Sequence, residues 1–103
     1  MQVNTATFEV KPEALNECVD AIEEFVSAIE ETEPRTLVYR SLRDTKNPSR
    51  FLHIFLFADE GAKDAHASSD AVKRFTDILY PNTLAPVEFT EWEPVAMVDR
   101  LAQ

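Results

Sequence analysis

Residues 50–58, RFLHIFLFA, predict a β-strand that is apolar on both faces. Side chains alternate along a strand, so one face carries three phenylalanines and the other carries Leu52, Ile54 and Leu56. A sheet that is open to water on one side normally alternates apolar with polar residues. Each large apolar side chain left in water forgoes roughly 1.5–3 kcal/mol. The segment therefore predicts a sheet that is covered on both sides.

The surrounding sequence predicts two helical regions and three further strands. Apolar residues recur every three or four positions from Leu15 towards Pro34, as in an amphipathic helix. Asp59 and Ser69 are suitable N-caps for two later helices, the second of which runs over 69–79. The remaining strands are predicted at 2–10, 35–43 and 86–98, the last being interrupted by Pro94. This order indicates an α+β, ferredoxin-like β-α-β-β-α-β fold with a four-stranded antiparallel sheet and its helices on one face.

Helices on one face leave the other face of such a sheet bare. A second copy of the same sheet would cover it, so the two-faced apolar strand predicts a homodimer that associates through the sheet face. The pattern alone leaves open which face of residues 50–58 lies between the subunits.

Composition restricts the class of protein further. The 103 residues are expected to form a single domain over 1–103, and the net charge of −9 disfavours binding to nucleic acid or to a membrane surface. No apolar run is long enough for a transmembrane helix, and the N-terminus shows no export signal. The single cysteine, Cys18, has no partner for an internal disulfide and reads as a small buried apolar residue. A cytoplasmic location is therefore expected.

Three segments resemble the antibiotic biosynthesis monooxygenase (ABM) domain family of the dimeric α+β barrel superfamily. They are VKPE at 10–13, PRTLVYRSLRDTKNPSRFLHIFLFAD at 34–59 and KDAHASSDAVKRF at 63–75. The chain departs from the family pattern at Phe55 and Phe57, where members often carry Glu and Trp. It also has Glu13 and Arg35-Thr36 where a glycine is common.

The resemblance implies a cofactor-independent monooxygenase that oxidises a small phenol-like or quinol-like aromatic with dioxygen. Such a protein supplies a dry aromatic pocket, a proton acceptor and orientation. The alternative is a non-catalytic dimeric α+β barrel that binds a small hydrophobic molecule or serves a stress response. The pocket-side His66 favours the enzyme, and the apolar Phe55 and Phe57 favour the alternative.

His66, in the Asp-Ala-His segment, is the candidate catalytic base, because histidine titrates close to neutral pH. Its alternative role is local packing between helices, and no partner for it is evident in the sequence. Tyr39, Trp92, Asn4 and His53 are candidate substrate-binding residues, each with an alternative as an ordinary core, interface or strand side chain.

No metal or other cofactor is predicted. The glutamates of the first helix form a solvated face without histidine or cysteine at ligand spacing. One branch of the superfamily binds haem through a histidine on the second helix, whereas residues 69–79 contain no histidine. A single glycine is too few for a phosphate-binding loop or a dinucleotide fingerprint.

Overall fold

A computed structural model describes residues 2–101 and shows four strands and three α-helices. The elements are β1 (Val3–Glu9), a 3₁₀ turn (Pro12–Ala14), α1 (Leu15–Thr32), β2 (Thr36–Arg43), β3 (Arg50–Phe57), α2 (Glu60–Ala67), α3 (Asp70–Leu79), a second 3₁₀ turn (Tyr80–Asn82) and β4 (Glu88–Trp92). The sheet order is β2-β3-β1-β4, and all three pairings are antiparallel. This arrangement confirms the predicted α+β, ferredoxin-like fold.

Both predicted N-caps are confirmed. The Asp59 carboxylate accepts a hydrogen bond from the Ala62 N–H at 2.9 Å, and the Ser69 hydroxyl oxygen accepts one from the Val72 N–H at 3.2 Å. The two helices therefore begin separately, and α2 stays short. None of the helices in residues 2–101 is long and apolar enough to cross a membrane.

Pro34 determines how α1 ends. The residue before a proline is sterically disfavoured in helical geometry, and Glu33 leaves the helix with φ −126° and ψ 70°. Its side chain consequently departs from the solvated row of glutamates on α1 and turns inward, where it is about nine-tenths buried.

The phenylalanine face of β3 packs against the helices. His53 pairs with Ala6 and Phe51 with Phe8 in the register between β1 and β3, and all four residues are buried. In the same core layer, Phe25 of α1 stacks on Phe75 of α3 at 4.5 Å between ring centroids.

The opposite face of β3 carries Leu52, Ile54 and Leu56, which are only half-buried within one chain. Their neighbours on β2 include Val38 and Leu42, so an apolar strip crosses the helix-free side of the sheet. The sheet does not close on itself within one chain.

The last strand is shorter than predicted. The sequence suggested a strand over 86–98, whereas β4 ends at Trp92 and residues 93–101 adopt neither helix nor strand. Pro94 explains the difference, because its nitrogen has no hydrogen to donate to a strand ladder and its ring restricts the preceding residue.

Candidate active site

A cavity of about 590 Å³ lies between the sheet and the helices. Four of the five candidate residues line it: His66, Tyr39, His53 and Asn4. The rest of the wall is mainly apolar, with Phe8, Phe25, Phe55, Phe57, Val72, Phe75, Leu79, Val87 and Phe89 among its residues. The size and apolar lining suit a small aromatic molecule.

Trp92 does not belong to this group. Its side chain is 53% exposed, and its indole N–H donates a hydrogen bond to the Thr5 hydroxyl at 2.8 Å. Trp92 lies opposite Val3 in the sheet, and strand alternation places it on the helix-free face, away from the cavity. Trp92 therefore does not line this cavity within one chain.

His66 has a carboxylate partner, Glu33, which the sequence did not reveal. The His66 Nδ1 and the Glu33 Oε1 lie 2.7 Å apart, and the two side chains are only 10% and 11% exposed. A carboxylate oxygen accepts, so Nδ1 carries the hydrogen and donates it. The other ring nitrogen, Nε2, then presents its lone pair, with no hydrogen bond to it from the described residues.

Glu33 is itself held by a second donor. The Thr36 hydroxyl donates to the same Oε1 at 2.9 Å, while Oε2 is buried without a hydrogen-bond partner among residues 2–101. The carboxylate is thereby positioned to orient the His66 ring and to stabilise the imidazolium form when Nε2 takes up a proton. Such a carboxylate–imidazole pair is a frequent arrangement for a general base.

Aromatic rings surround the imidazole of His66. Its ring centroid lies 5.2 Å from that of Phe57, 5.8 Å from that of Phe25 and 5.9 Å from that of Tyr39. These rings exclude water from the part of the His66 imidazole that they contact. They also offer flat surfaces against which a planar ligand can stack.

His53 lies at the centre of a second hydrogen-bonded group. The Tyr39 hydroxyl is 2.7 Å from its Nδ1 and the Ser41 hydroxyl is 2.8 Å from its Nε2, so both ring nitrogens are engaged. Only 1% of the residue is exposed, and this burial lowers the pKa of His53 to about 4. Burial first, and the charge of Glu33 second, raise the pKa of the Tyr39 hydroxyl. Both groups are therefore neutral near pH 7.

The neutral state of His53 predicts a pH-dependent stability. Its pKa falls from 6.5 to about 4 on folding, so protonation favours the unfolded chain. The stabilisation is complete above the unfolded value and is lost as the pH falls from about 6.5 to about 4. We expect the free energy of unfolding to decrease by about 3 kcal/mol more in the wild type than in His53→Gln over this interval. Urea unfolding at several pH values measures the difference, and parallel pH profiles for the two proteins would contradict it.

Two charged residues stand at the rim of the cavity. Lys63 of α2 donates from its Nζ to the Glu91 Oε1 at 2.6 Å, which links α2 to β4.

Asn4 lies deeper in the cavity and is 6% exposed, with a single long hydrogen bond of 3.5 Å from its amide nitrogen to the Phe55 carbonyl oxygen. Its amide is therefore able to contact a ligand oxygen, as the sequence suggested.

No group of three or more His, Cys, Asp or Glu side chains among residues 2–101 is arranged to hold a metal ion. Cys18 is fully buried as a free thiol, in agreement with its interpretation as a small apolar residue. Apart from the histidine rings, the site therefore offers only hydroxyl, amide, ammonium and carboxylate groups.

The fold and the site together define a ferredoxin-like α+β protein with an aromatic-lined cavity and a buried carboxylate–imidazole pair. Residues 1–77 match the antibiotic biosynthesis monooxygenase family, and the chain belongs to that family. A sequence comparison with curated proteins finds no match.

Solved structures share this fold over most of their length. An antibiotic biosynthesis monooxygenase superposes with a TM-score of 0.85 at 24% identity, covering 93% of this chain and 100% of the other. A conserved protein from Methanosarcina mazei Go1 gives 0.80 at 22% identity, covering 88% and 89%. Rv0793 from Mycobacterium tuberculosis gives 0.83 at 14% identity, covering 95% and 98%.

Proposed function

We propose that the protein is a cofactor-independent monooxygenase that oxidises a small phenol-like or quinol-like aromatic with dioxygen. The observation that supports this most directly is the imidazole Nε2 of His66, which is backed by Glu33 in a cavity walled by aromatic rings. Membership of the ABM family supports the reaction class.

Each residue of the site has a different role in such a reaction. His66 takes the hydroxyl proton through Nε2, and Glu33 stabilises the resulting imidazolium through Nδ1. The aromatic oxyanion is electron-rich enough to donate an electron to dioxygen, so that no metal or flavin is required. For a quinol, one atom of dioxygen becomes a new ring oxygen, the other leaves as water, and the substrate supplies all the electrons. Asn4 and Tyr39 orient the ring through its oxygens.

The helix-free face of the sheet supports a homodimer. The strip of Leu52, Ile54 and Leu56 remains partly exposed in one chain, and a second copy packed face to face would cover it. We therefore propose that two copies form the dimeric α+β barrel through this face. A cytoplasmic location, which the single cysteine favours, stays a prediction.

A non-catalytic dimeric α+β barrel remains the second candidate. Phe55 and Phe57 both line the cavity and make the third strand an apolar wall, which suits simple retention of a hydrophobic molecule. This candidate requires binding without turnover, and it gives His66 and Glu33 a structural role only.

Oxygen consumption distinguishes the two candidates. We expect the purified protein to accelerate oxygen uptake with hydroquinone or 1,4-dihydroxynaphthalene in the presence of EDTA and without added flavin. The rate with heat-denatured protein provides the correction for spontaneous oxidation. Thermal stabilisation of the protein by these compounds without accelerated uptake would contradict the enzyme and favour the binding protein.

A further inference from the structure

We infer that the cavity also catalyses keto–enol proton exchange on a carbonyl compound, a reaction that needs neither oxygen nor a cofactor. The inference rests on the same His66 base as the proposed function, and it makes a second group essential for the proton transfer itself. This second group is a hydrogen-bond donor for the carbonyl oxygen, and Tyr39 supplies it.

The base is suited to a carbon acid as well as to a phenol. The hydrogen bond from His66 Nδ1 to Glu33 Oε1, at 2.7 Å, leaves the lone pair of Nε2 for a proton from the ligand. Removal of a proton next to a carbonyl group places the negative charge on oxygen, so the rate depends on a donor at that oxygen. Enzymes of this kind place a neutral hydrogen-bond donor at the carbonyl oxygen and a base at the neighbouring carbon.

The Tyr39 hydroxyl meets this need because a chain of hydrogen bonds fixes its direction. Neutral His53 carries one ring hydrogen, so it donates to one of its two partners and accepts from the other. When Ser41 donates to Nε2, the Nδ1–H donates to the Tyr39 oxygen. Tyr39 then has its own O–H available for a ligand. A bound carbonyl favours this direction over the reverse, because the reverse leaves Tyr39 no hydrogen to give.

Tyr39 and His66 lie next to each other in the wall of the same cavity. The rings of Tyr39 and His66 are 5.9 Å apart between centroids and both line the cavity. Phe55 contacts both of them, at 5.1 Å from Tyr39 and 6.1 Å from His66, and Phe25 does the same from α1. A ligand whose carbonyl oxygen binds Tyr39 therefore has His66 as a neighbour, and the two phenylalanines offer it flat aromatic surfaces.

The reaction balances within the ligand and these side chains. The C–H bond next to the carbonyl breaks, its proton moves to His66 Nε2, and the electron pair shifts to the oxygen that Tyr39 binds. The imidazolium, stabilised by Glu33, then returns a proton to the same carbon or exchanges it with solvent first. Nothing is oxidised or reduced.

Hydrogen–deuterium exchange under argon tests this inference. The probe is 2-tetralone, whose ketone lies in a saturated ring fused to a benzene ring, in deuterated buffer. Proton NMR follows the loss of the signal from C1, the carbon between the carbonyl and the aromatic ring. We expect wild type to accelerate exchange over buffer. His66→Ala should reduce the acceleration by about 10²–10⁴-fold, and Tyr39→Phe by about 10²–10³-fold. Glu31→Gln is the control, because it changes an exposed glutamate of α1, and it should leave the rate unchanged.

Ser41 acts through His53 and Tyr39, so it is a positioning residue. Ser41→Ala should lower kcat with little change in KM, and Ser41→Thr, which restores a hydroxyl, should recover the rate. Circular dichroism melting identifies any variant that does not fold, and Glu33→Gln replaces His66→Ala in that case.

Exchange that does not exceed the buffer rate would overturn the inference, and so would full activity in folded Tyr39→Phe. Oxygen uptake with quinols separates this result from the proposed function. Exchange without uptake leaves the inference standing and removes the monooxygenase, and uptake without exchange does the opposite.

Discussion

His66→Ala is expected to lower the turnover of quinol-dependent oxygen uptake by about 10²–10⁴-fold, the usual contribution of a positioned general base. Among residues 2–101, His66 supplies the one imidazole nitrogen at the cavity without a hydrogen-bond partner, since both nitrogens of His53 are engaged. His53 is also a poor substitute because burial lowers its pKa to about 4 and leaves it a weak base. An oxygen electrode and a melting curve measured on the same preparation test the prediction.

Glu33→Gln provides the second half of this test. An amide keeps the size of the carboxylate but removes its charge, so the His66 tautomer and the imidazolium lose their support. We expect a loss of turnover in the same direction, whereas Glu31→Gln, which changes an exposed glutamate on α1, leaves turnover unchanged. Unaltered turnover in folded His66→Ala would exclude His66 as the base. A collapse of the melting temperature would instead assign His66 a structural role.

The parts of the fold that depend on local chemistry could be predicted from the sequence. The spacing of apolar residues predicted α1, and the side chains of Asp59 and Ser69 predicted where the two later helices begin. These features depend on neighbours within a few residues, so the sequence displays them directly. Pro94 was recognised as a break, but its position within the predicted strand left the end of β4 undetermined.

The partnerships within the site depend on distant segments. Glu33 and His66 are 33 positions apart, and their contact requires α1, β2 and α2 to pack in the observed order. One local signal sets Glu33 apart from the other glutamates, because a residue before proline is disfavoured in helical geometry. Trp92 was predicted at the pocket wall but lies on the helix-free face, and no local signal in the sequence indicates which face it takes. Its face depends on the register between β4 and β1, which composition does not reveal.

The open face of the sheet lies on the opposite side from the cavity, and its apolar strip is the basis of the proposed dimer. Ile54 lies at the centre of this face, between Thr5 of β1 and Arg40 of β2. Wild type is expected to behave in light scattering at micromolar concentration as a particle of about twice the 11.7 kDa chain mass. A stable wild-type monomer at that concentration would contradict the proposed dimer.

Ile54→Asp is expected to convert this dimer to monomers. A carboxylate on the open face of one chain remains in contact with water, but in a sheet-to-sheet dimer it is removed from water, and pairing with Arg40, its neighbour on β2, offsets only part of the desolvation cost. The cost of several kcal/mol raises the dissociation constant by about 10²-fold or more. The helix-side core is not altered, so the helical circular dichroism signal should persist. Ile54→Val, which keeps the position apolar, should remain dimeric, and an Ile54→Asp protein that still sediments as a dimer would place the subunit interface elsewhere.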